Sequence, residues 1–310
     1  MNYLPLWPSP QKFKYSNKVQ KFPTKKLNMI ENFFAKKYNS KYCVLTSSAR
    51  VGILLILQFK KYDRSKIIKI PKWSSHCLYN SIGSLTNISS DFKSKVDCSL
   101  LVHHLGNTFN NKKKLNLGID DSSDSIPGKN FKPYYNSKFS EVVSLPKIIG
   151  SYCGGIVLTN NRNLFQFIKK KQKSFIDLAR IQSYKKYQCL IMMKKNFDWH
   201  YHESVNFSID ENTIENIYDN LENFELNKKI ISERKKLYFN NKFLDKFRIG
   251  PCQILNYNKN LTNILETRIF NKAKLSDNEN FLKINVLPLH FTINQKDLEI
   301  KINEISKIRI

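Results

Sequence analysis

The sequence predicts an α/β protein: a mostly parallel mixed sheet flanked by helices, followed by a smaller C-terminal α+β region. Three observations carry that expectation. From about residue 25 to residue 173, short apolar and β-branched runs alternate with segments of helical periodicity, the pattern of parallel strands joined by helices. Beyond about residue 175 the alternation gives way to long helical stretches and a few short strands. With 310 residues, 41% of them apolar, the chain can bury one large core and a smaller one.

The elements follow in order. Residues 25–38 place Leu27, Ile30, Phe33, Phe34 and Tyr38 on one helical face. Tyr42–Thr46 reads as a strand that runs into Ser47-Ser48, where a helix carrying Val51 to Gln58 begins. A strand over 66–71, a helix over 75–85 and a strand over 99–104 come next. Strands are expected at 115–119, 140–145 and 154–159, with a helix at about 161–173. Helical segments at 175–194, 208–226 and 227–241 precede short strands near 253–257 and 283–287 and a last helix from about Asn294. The change of pattern puts a domain boundary near residue 200: a large α/β domain over 1–200, with an N-terminal arm over 1–24, and a small domain over 201–310.

Bulk properties narrow the class. Six cysteines are scattered without a CxxC pair, so they read as reduced thiols and not as a disulfide or zinc framework. The N-terminus MNYLPLWPSPQ has prolines where a signal peptide needs an apolar helix, and the longest apolar run is far too short to cross a bilayer. A soluble, cytoplasmic protein without membrane insertion is expected. The formal charge of +27 invites a nucleic-acid reading. Yet the lysines are spread along the chain with abundant asparagine and isoleucine, and no recognition motif accompanies them, so no specific nucleic-acid partner is expected. His200 and His202 have metal-ligand spacing but no third ligand at a recognisable distance.

The chemistry centres on Lys147. Glu141-Val-Val-Ser-Leu-Pro-Lys147 is a strand signal that delivers a lysine to a turn, ahead of Gly154-Gly155 and a second strand. Upstream, another strand-like run ends on Asp120-Asp121. A lysine at one strand end and a carboxylate at another are what pyridoxal phosphate (PLP) chemistry needs. The amine forms a Schiff base with the cofactor aldehyde, and the carboxylate keeps the pyridine nitrogen protonated. Because strand neighbours alternate faces, Asp120 and Asp121 are expected to point opposite ways. Ser48-Ala49-Arg50 stands where a strand enters a helix, whose free N–H groups suit a phosphate; Ser47 or Ser48 would equally serve as a helix cap.

Taken in order, these pieces resemble the DegT/DnrJ/StrS family of PLP-dependent enzymes, best known as nucleotide-sugar aminotransferases. The opening helix Leu27–Tyr38, the phosphate loop Thr46-Ser-Ser-Ala-Arg50 and the strand end Ile70-Pro-Lys-Trp-Ser74 come first. Val102-His-His-Leu-Gly106, Ile119-Asp-Asp-Ser-Ser-Asp124, Ser144-Leu-Pro-Lys147 with Gly154-Gly155, and Val286-Leu-Pro-Leu-His290 complete the set.

The resemblance implies a fold-type-I PLP-dependent transferase working as a homodimer, with its active site at the interface. It implies an amino group moved from glutamate to a keto group of a nucleotide-linked deoxysugar through a Schiff base on Lys147. By the same resemblance Asp121 partners the pyridine nitrogen, while Ser48, Ala49, Arg50 and Ser144 hold the phosphate. Asp124 falls near the cofactor's phenolic oxygen, His76 (or Trp73) would stack on the ring, and Asn206 would reach the other subunit's phosphate. One of His103 and His104 would approach the site. The chain departs from the family at Ala49-Arg50, where Gly-Thr is usual. It departs again at Asp124, where Gln or His is usual, at Ser75, which matches the stacking position, and in the short link between Ser84 and Ser99. These departures motivate an alternative: a catalytically degenerate member acting as a binding or assembly protein.

Overall fold

The computed structural model describes residues 4–8, 23–72, 74–90, 95–106, 118–129, 131, 139–173, 209, 211–239, 248–271 and 281–308. Helix α1 (Thr24–Lys37) leads into β1 (Tyr42–Thr46), α2 (Ala49–Phe59), β2 (Ile67–Lys69), α3 (His76–Gly83), β3 (Asn87–Ser89) and β4 (Cys98–Val102). Then come β5 (Gly118–Asp121), β6 (Ile126–Pro127), β7 (Phe139–Ser144), a short helix α4 (Leu145–Ile149), β8 (Gly155–Thr159) and α5 (Arg162–Lys173). After residue 209 follow α6 (Glu211–Asp219), α7 (Asn223–Phe239), β9 (Arg248–Ile249), β10 (Cys252–Asn256), β11 (Glu266–Asn271), β12 (Phe281–Pro288) and α8 (Gln295–Lys307).

Seven strands form the main sheet in the order β1-β8-β7-β5-β4-β2-β3. Every pair from β7 through β5, β4 and β2 to β3 is parallel, and only β8 runs against its neighbours β7 and β1. This is the mostly parallel mixed sheet expected from the alternation. Its central strands are buried on both faces, so each supplies two cores by period-2 alternation. Cys43, Leu45, Val143, Ile156 and Leu158 join the cluster that also receives α1 and α6 to α8. Val44, Val142 and Val157 face the opposite way, into the cluster filled by α2, α3 and α5.

Helix α2 is apolar nearly all round, with eight of its residues, Ala49 and Val51 to Leu57, buried, as a helix pressed flat against a sheet must be. Gly52 permits that approach: a Cβ there would stand 2.8 Å from Cγ2 of Val157. The second sheet, β10-β12-β11, is antiparallel with β12 at its centre.

Several boundaries differ from the sequence expectation. The strand expected at 115–119 runs on to Asp121, because β4 and β7 pair with it on both sides through that residue. The strand expected over 99–104 ends at Val102, and His104–Gly106 form a tight turn in which Leu105 has φ +53°. Lys147 lies in helix α4 and not in an open turn after a strand. The helix break falls at 220–222 and not at 226–227. There Asn220 Nδ2 donates back to the Asn216 carbonyl at 2.7 Å and Asn223 Nδ2 donates to Asn220 Oδ1 at 2.8 Å. The short strands β3, β6 and β9 and the polar β11 carried no alternation that announced them. The segment 175–194, with Trp73, His200, His202 and Asn206, lies outside the described residues.

Candidate active site

Parallel strands bring their carboxyl ends to one edge of the sheet, where open α/β folds place their sites. Thr46, Lys69, Val102, Asp121 and Ser144 end their strands on that edge, and the antiparallel β8 begins there at Gly155. The loop from β1 to α2 is fixed from within. Ser48, in extended conformation, caps α2 by accepting from Val51 N at 3.2 Å, and its carbonyl accepts from Thr46 Oγ1 at 2.9 Å and from Gly52 N at 3.1 Å. The Ala49 amide makes no hydrogen bond among the described residues, so α2 opens with a buried donor at the positive end of its dipole. Gly154 (φ +104°) donates its N–H to the Ser47 carbonyl at 3.0 Å. A Cβ on Gly155 would stand 2.3 Å from Ala49 N, so this pair of glycines is required by the loop's closeness to β8.

Lys147 is set by its short helix. Ser144 stands at the N-cap without a side-chain cap bond, Pro146 occupies the first turn, and Gly150 ends the helix in the left-handed region at φ +68°. Such a helix leaves its last carbonyls unmatched. Two asparagines one turn apart on α7 satisfy them: Asn227 Nδ2 donates to Ile148 O at 2.7 Å and Asn223 Nδ2 to Ile149 O at 3.0 Å. The turn that carries Lys147 is thereby clamped from the C-terminal region.

Asp121 ends β5, next to β7, in register with Val142. Ser123 donates both its backbone N–H (3.0 Å) and its hydroxyl to Asp121 Oδ1. Oδ2 carries no hydrogen bond among the described residues. Burial pushes the Asp121 carboxyl above its ordinary range; the Ser123 hydroxyl and then the Lys147 charge pull it back, and Asp124 adds to the rise. Lys147 and Asp121 therefore lie within each other's field. Asp120 faces the other way, as the strand period requires, with Oδ1 2.9 Å from Nε2 of the fully buried His103.

Asp124 accepts from Leu105 N at 3.2 Å, which holds the tight turn His104–Gly106. That turn is pressed against Gly250: a Cβ on Gly250 would stand 1.8 Å from the Leu105 carbonyl. His104 joins the group around the lysine. Burial lowers its pKa, Asp124 opposes that, and Lys147 and Arg268 lower it further. His76 opens α3 with an exposed side chain, and Arg50 is half-buried in the first turn of α2.

Two neighbours escaped the sequence reading. The Trp7 ring lies with its centroid 4.5 Å from Lys147 Nζ and 5.9 Å from Arg268 Cζ. Trp7 belongs to the N-terminal arm and Arg268 to a strand of the second sheet. No spacing in the sequence links either of them to Lys147.

A family model described as "Putative PLP-dependent aminotransferase" matches residues 30–308. Among solved structures the chain is similar to Helicobacter pylori PseC, an aminotransferase involved in the biosynthesis of pseudoaminic acid. That match has 14% identity and a TM-score of 0.62, covering 97% of this chain and 98% of that one. It is similar to sugar aminotransferase CalS13 from Micromonospora echinospora at 12% identity and a TM-score of 0.65, over 98% of this chain and 100% of that one. A DegT DnrJ EryC1 StrS aminotransferase from Brucella abortus matches at 10% identity and a TM-score of 0.65, over 91% and 90%. No curated protein sequence matches the chain. At these identities the likeness is one of fold.

Proposed function

We propose, from the premise that the chain belongs to the PLP-dependent aminotransferase family, that it moves an amino group from glutamate to a keto group of a nucleotide-linked deoxysugar, with Lys147 as the working amine. The observation that carries the reading is that Asp121, buried at the end of β5, and Lys147, half-buried on the short helix that follows the adjacent β7, lie within each other's field.

The residues present fit the cofactor. The Ala49 amide at the α2 N-terminus and the Ser144 hydroxyl make no hydrogen bond among the described residues and suit a phosphate, with the Ser48 backbone and Arg50 beside them. Asp121 Oδ2, left open by the two bonds that Ser123 makes to Oδ1, is an acceptor suited to a protonated ring nitrogen. PLP, when bound, supplies an aldehyde for an amine and a ring that accepts electrons. Lys147 Nζ would then take the α-proton of the amino donor and hand it to the cofactor, and in the second half-reaction would carry a proton back to the acceptor carbon that receives the amino group. Ser123 orients Asp121, and Asn223 and Asn227 hold the Lys147 turn.

The sugar acceptor is supported by the names of two similar structures, PseC and CalS13, and the charge of +27 suits a diphosphate-bearing substrate. A large domain over 1–200, a small one over 201–310 and a cytoplasmic homodimer, with His76 stacking on the cofactor ring and Asn206 reaching the other subunit's phosphate, belong to the same reading. Asp124 favours a second reading, a member that keeps the fold and has lost the chemistry, because its Oδ1 holds the turn at Leu105 N where the family resemblance expects Gln or His.

The test is reconstitution with PLP. Borohydride reduction is expected to fix the cofactor on Lys147, and Lys147→Ala is expected to lose roughly 100- to 10,000-fold in glutamate turnover. Cofactor retention without conversion by glutamate would favour the second reading. Full turnover in Lys147→Ala would overturn the first.

A further inference from the structure

Lys147 forms no ion pair among the described residues, although Asp121 lies within its field and Asp124 acts on the same neighbours. Its ammonium instead stands over the Trp7 ring, 4.5 Å from the centroid.

The segment that carries Trp7 is built to hold it there. Pro5 and Pro8 fix φ at two positions of Leu4-Pro-Leu-Trp-Pro8 and bias Leu4 and Trp7, the residues before them, away from helical backbone; the chain bends at Leu6 and Trp7. Leu6 is buried among Leu105, Cys252, Ile284 and Val286. His290 donates from Nε2 to the Pro5 carbonyl at 2.7 Å, and the Thr292 hydroxyl lies 3.0 Å from Nδ1 of the same ring. Arg268, paired with Glu266 at 2.6 Å, lies 5.9 Å from the indole. The strap is thus anchored through Pro5 and Leu6, immediately ahead of Trp7.

An aromatic face attracts an ammonium without supplying an anion. A lysine on a flexible four-carbon stem, if released beside Asp121, would otherwise pair with that carboxylate and compete with the cofactor for it. We propose that Trp7 is a positioning residue: its indole face receives the Lys147 amine whenever that amine is not bonded to the cofactor, which leaves Asp121 to the cofactor. This inference rests on the reading of Lys147 as the working amine.

The test uses the cofactor-free full chain. Limited acetylation, followed by peptide mass spectrometry, compares modification of Lys147 with that of Lys307 on α8 in wild type, Trp7→Leu and Trp7→Phe. Leucine and phenylalanine both keep apolar bulk on the strap, and only phenylalanine keeps a π face. Lys147 acetylation is expected to rise roughly 2- to 30-fold in Trp7→Leu, with Trp7→Phe between that variant and wild type. In the reconstituted enzyme, Trp7→Leu is expected to lower kcat for glutamate with little change in KM. Equal acetylation in Trp7→Leu and wild type would overturn the inference, and so would equal rises in the two variants, which would mean steric cover alone. Full turnover by Lys147→Ala would separately overturn the reading on which it rests.

Discussion

Gly155 and Ala49 approach so closely that a Cβ on the glycine would stand 2.3 Å from the alanine nitrogen and 2.4 Å from the Ser48 carbonyl carbon. The obstructing atoms are backbone, so neither side can yield by rotating a side chain. Gly155→Ala is expected to displace the loop that opens α2, at a cost of about 1–3 kcal/mol. PLP affinity is expected to fall roughly 10- to 100-fold, the loss of one hydrogen bond to a charged group. Gly83→Ala is the control, because a Cβ there meets only Ile88 Cδ1, at 3.3 Å. Urea unfolding and PLP titration check both; an unchanged affinity in Gly155→Ala would remove the loop from the cofactor site.

Asp121 carries a cost in the cofactor-free protein. Its folded pKa lies above the ordinary 3.8, chiefly through burial, so the folded state holds its proton to higher pH than the unfolded chain. Stability from this group therefore falls as pH rises from 3.8 through the raised folded value. Cofactor-free Asp121→Asn, which still accepts from Ser123, is expected to be more stable than wild type at pH 7, with the difference vanishing below 3.8. PLP should raise Tm by more in wild type than in Asp121→Asn. Thermal melts across pH decide it, and a variant less stable than wild type at pH 7 would contradict the burial argument.

Much of this architecture was legible in the sequence because it rests on local pattern. The strand at 42–46 and the helices near 24–37, 162–173 and 295–307 follow from periodicities that the two cores enforce. The opposite aims of Asp120 and Asp121 follow from the strand period alone. What escaped depends on distant contacts. β11 carries Glu266, Arg268 and Asn271, and it is a strand because β12 offers it an edge. The clamp on the Lys147 turn reaches across 74 and 79 positions from asparagines in a chain rich in asparagine. Trp7 meets Lys147 because Leu6 packs on the second sheet and Pro5 is held by His290, just beyond the end of β12. No spacing encodes such meetings.

His290 gives the N-terminal strap a pH dependence. Burial lowers its pKa from 6.5 to about 4, the nearby Arg234 adds to that, and the bond to the Pro5 carbonyl opposes both. Between pH 4 and 6.5 the unfolded chain binds the proton that the folded state refuses, so stability rises with pH across that window. The contribution is fully present above 6.5 and is lost as pH falls through about 4; it is worth about 3 kcal/mol. His290→Gln keeps a donor for Pro5 and does not titrate, so its unfolding free energy is expected to change less between pH 4 and 6.5. Parallel slopes for wild type and variant would show that His290 is not the titrating group.

Asn227 ties the Lys147 turn to the rest of the C-terminal region at both ends of its amide. Nδ2 donates to Ile148 O at 2.7 Å and Oδ1 accepts from Phe291 N at 3.2 Å, and the side chain is fully buried. Asn227→Leu keeps the volume and removes both bonds, which leaves the buried Ile148 carbonyl without a partner at about 1–3 kcal/mol and a half-buried Phe291 N–H beside it. Because one of them belongs to α4, the loss should also reach function. Turnover with glutamate is expected to fall at temperatures where the variant remains folded, with the reduction concentrated in kcat. Asn285→Ala serves as the comparison, because Asn285 is equally buried, accepts from Asn258 N at 2.8 Å and donates to Thr267 Oγ1 at 3.2 Å, partners that lie away from α4. A variant at 227 that loses stability but keeps its full kcat would show that the clamp holds the fold together without setting the position of the amine.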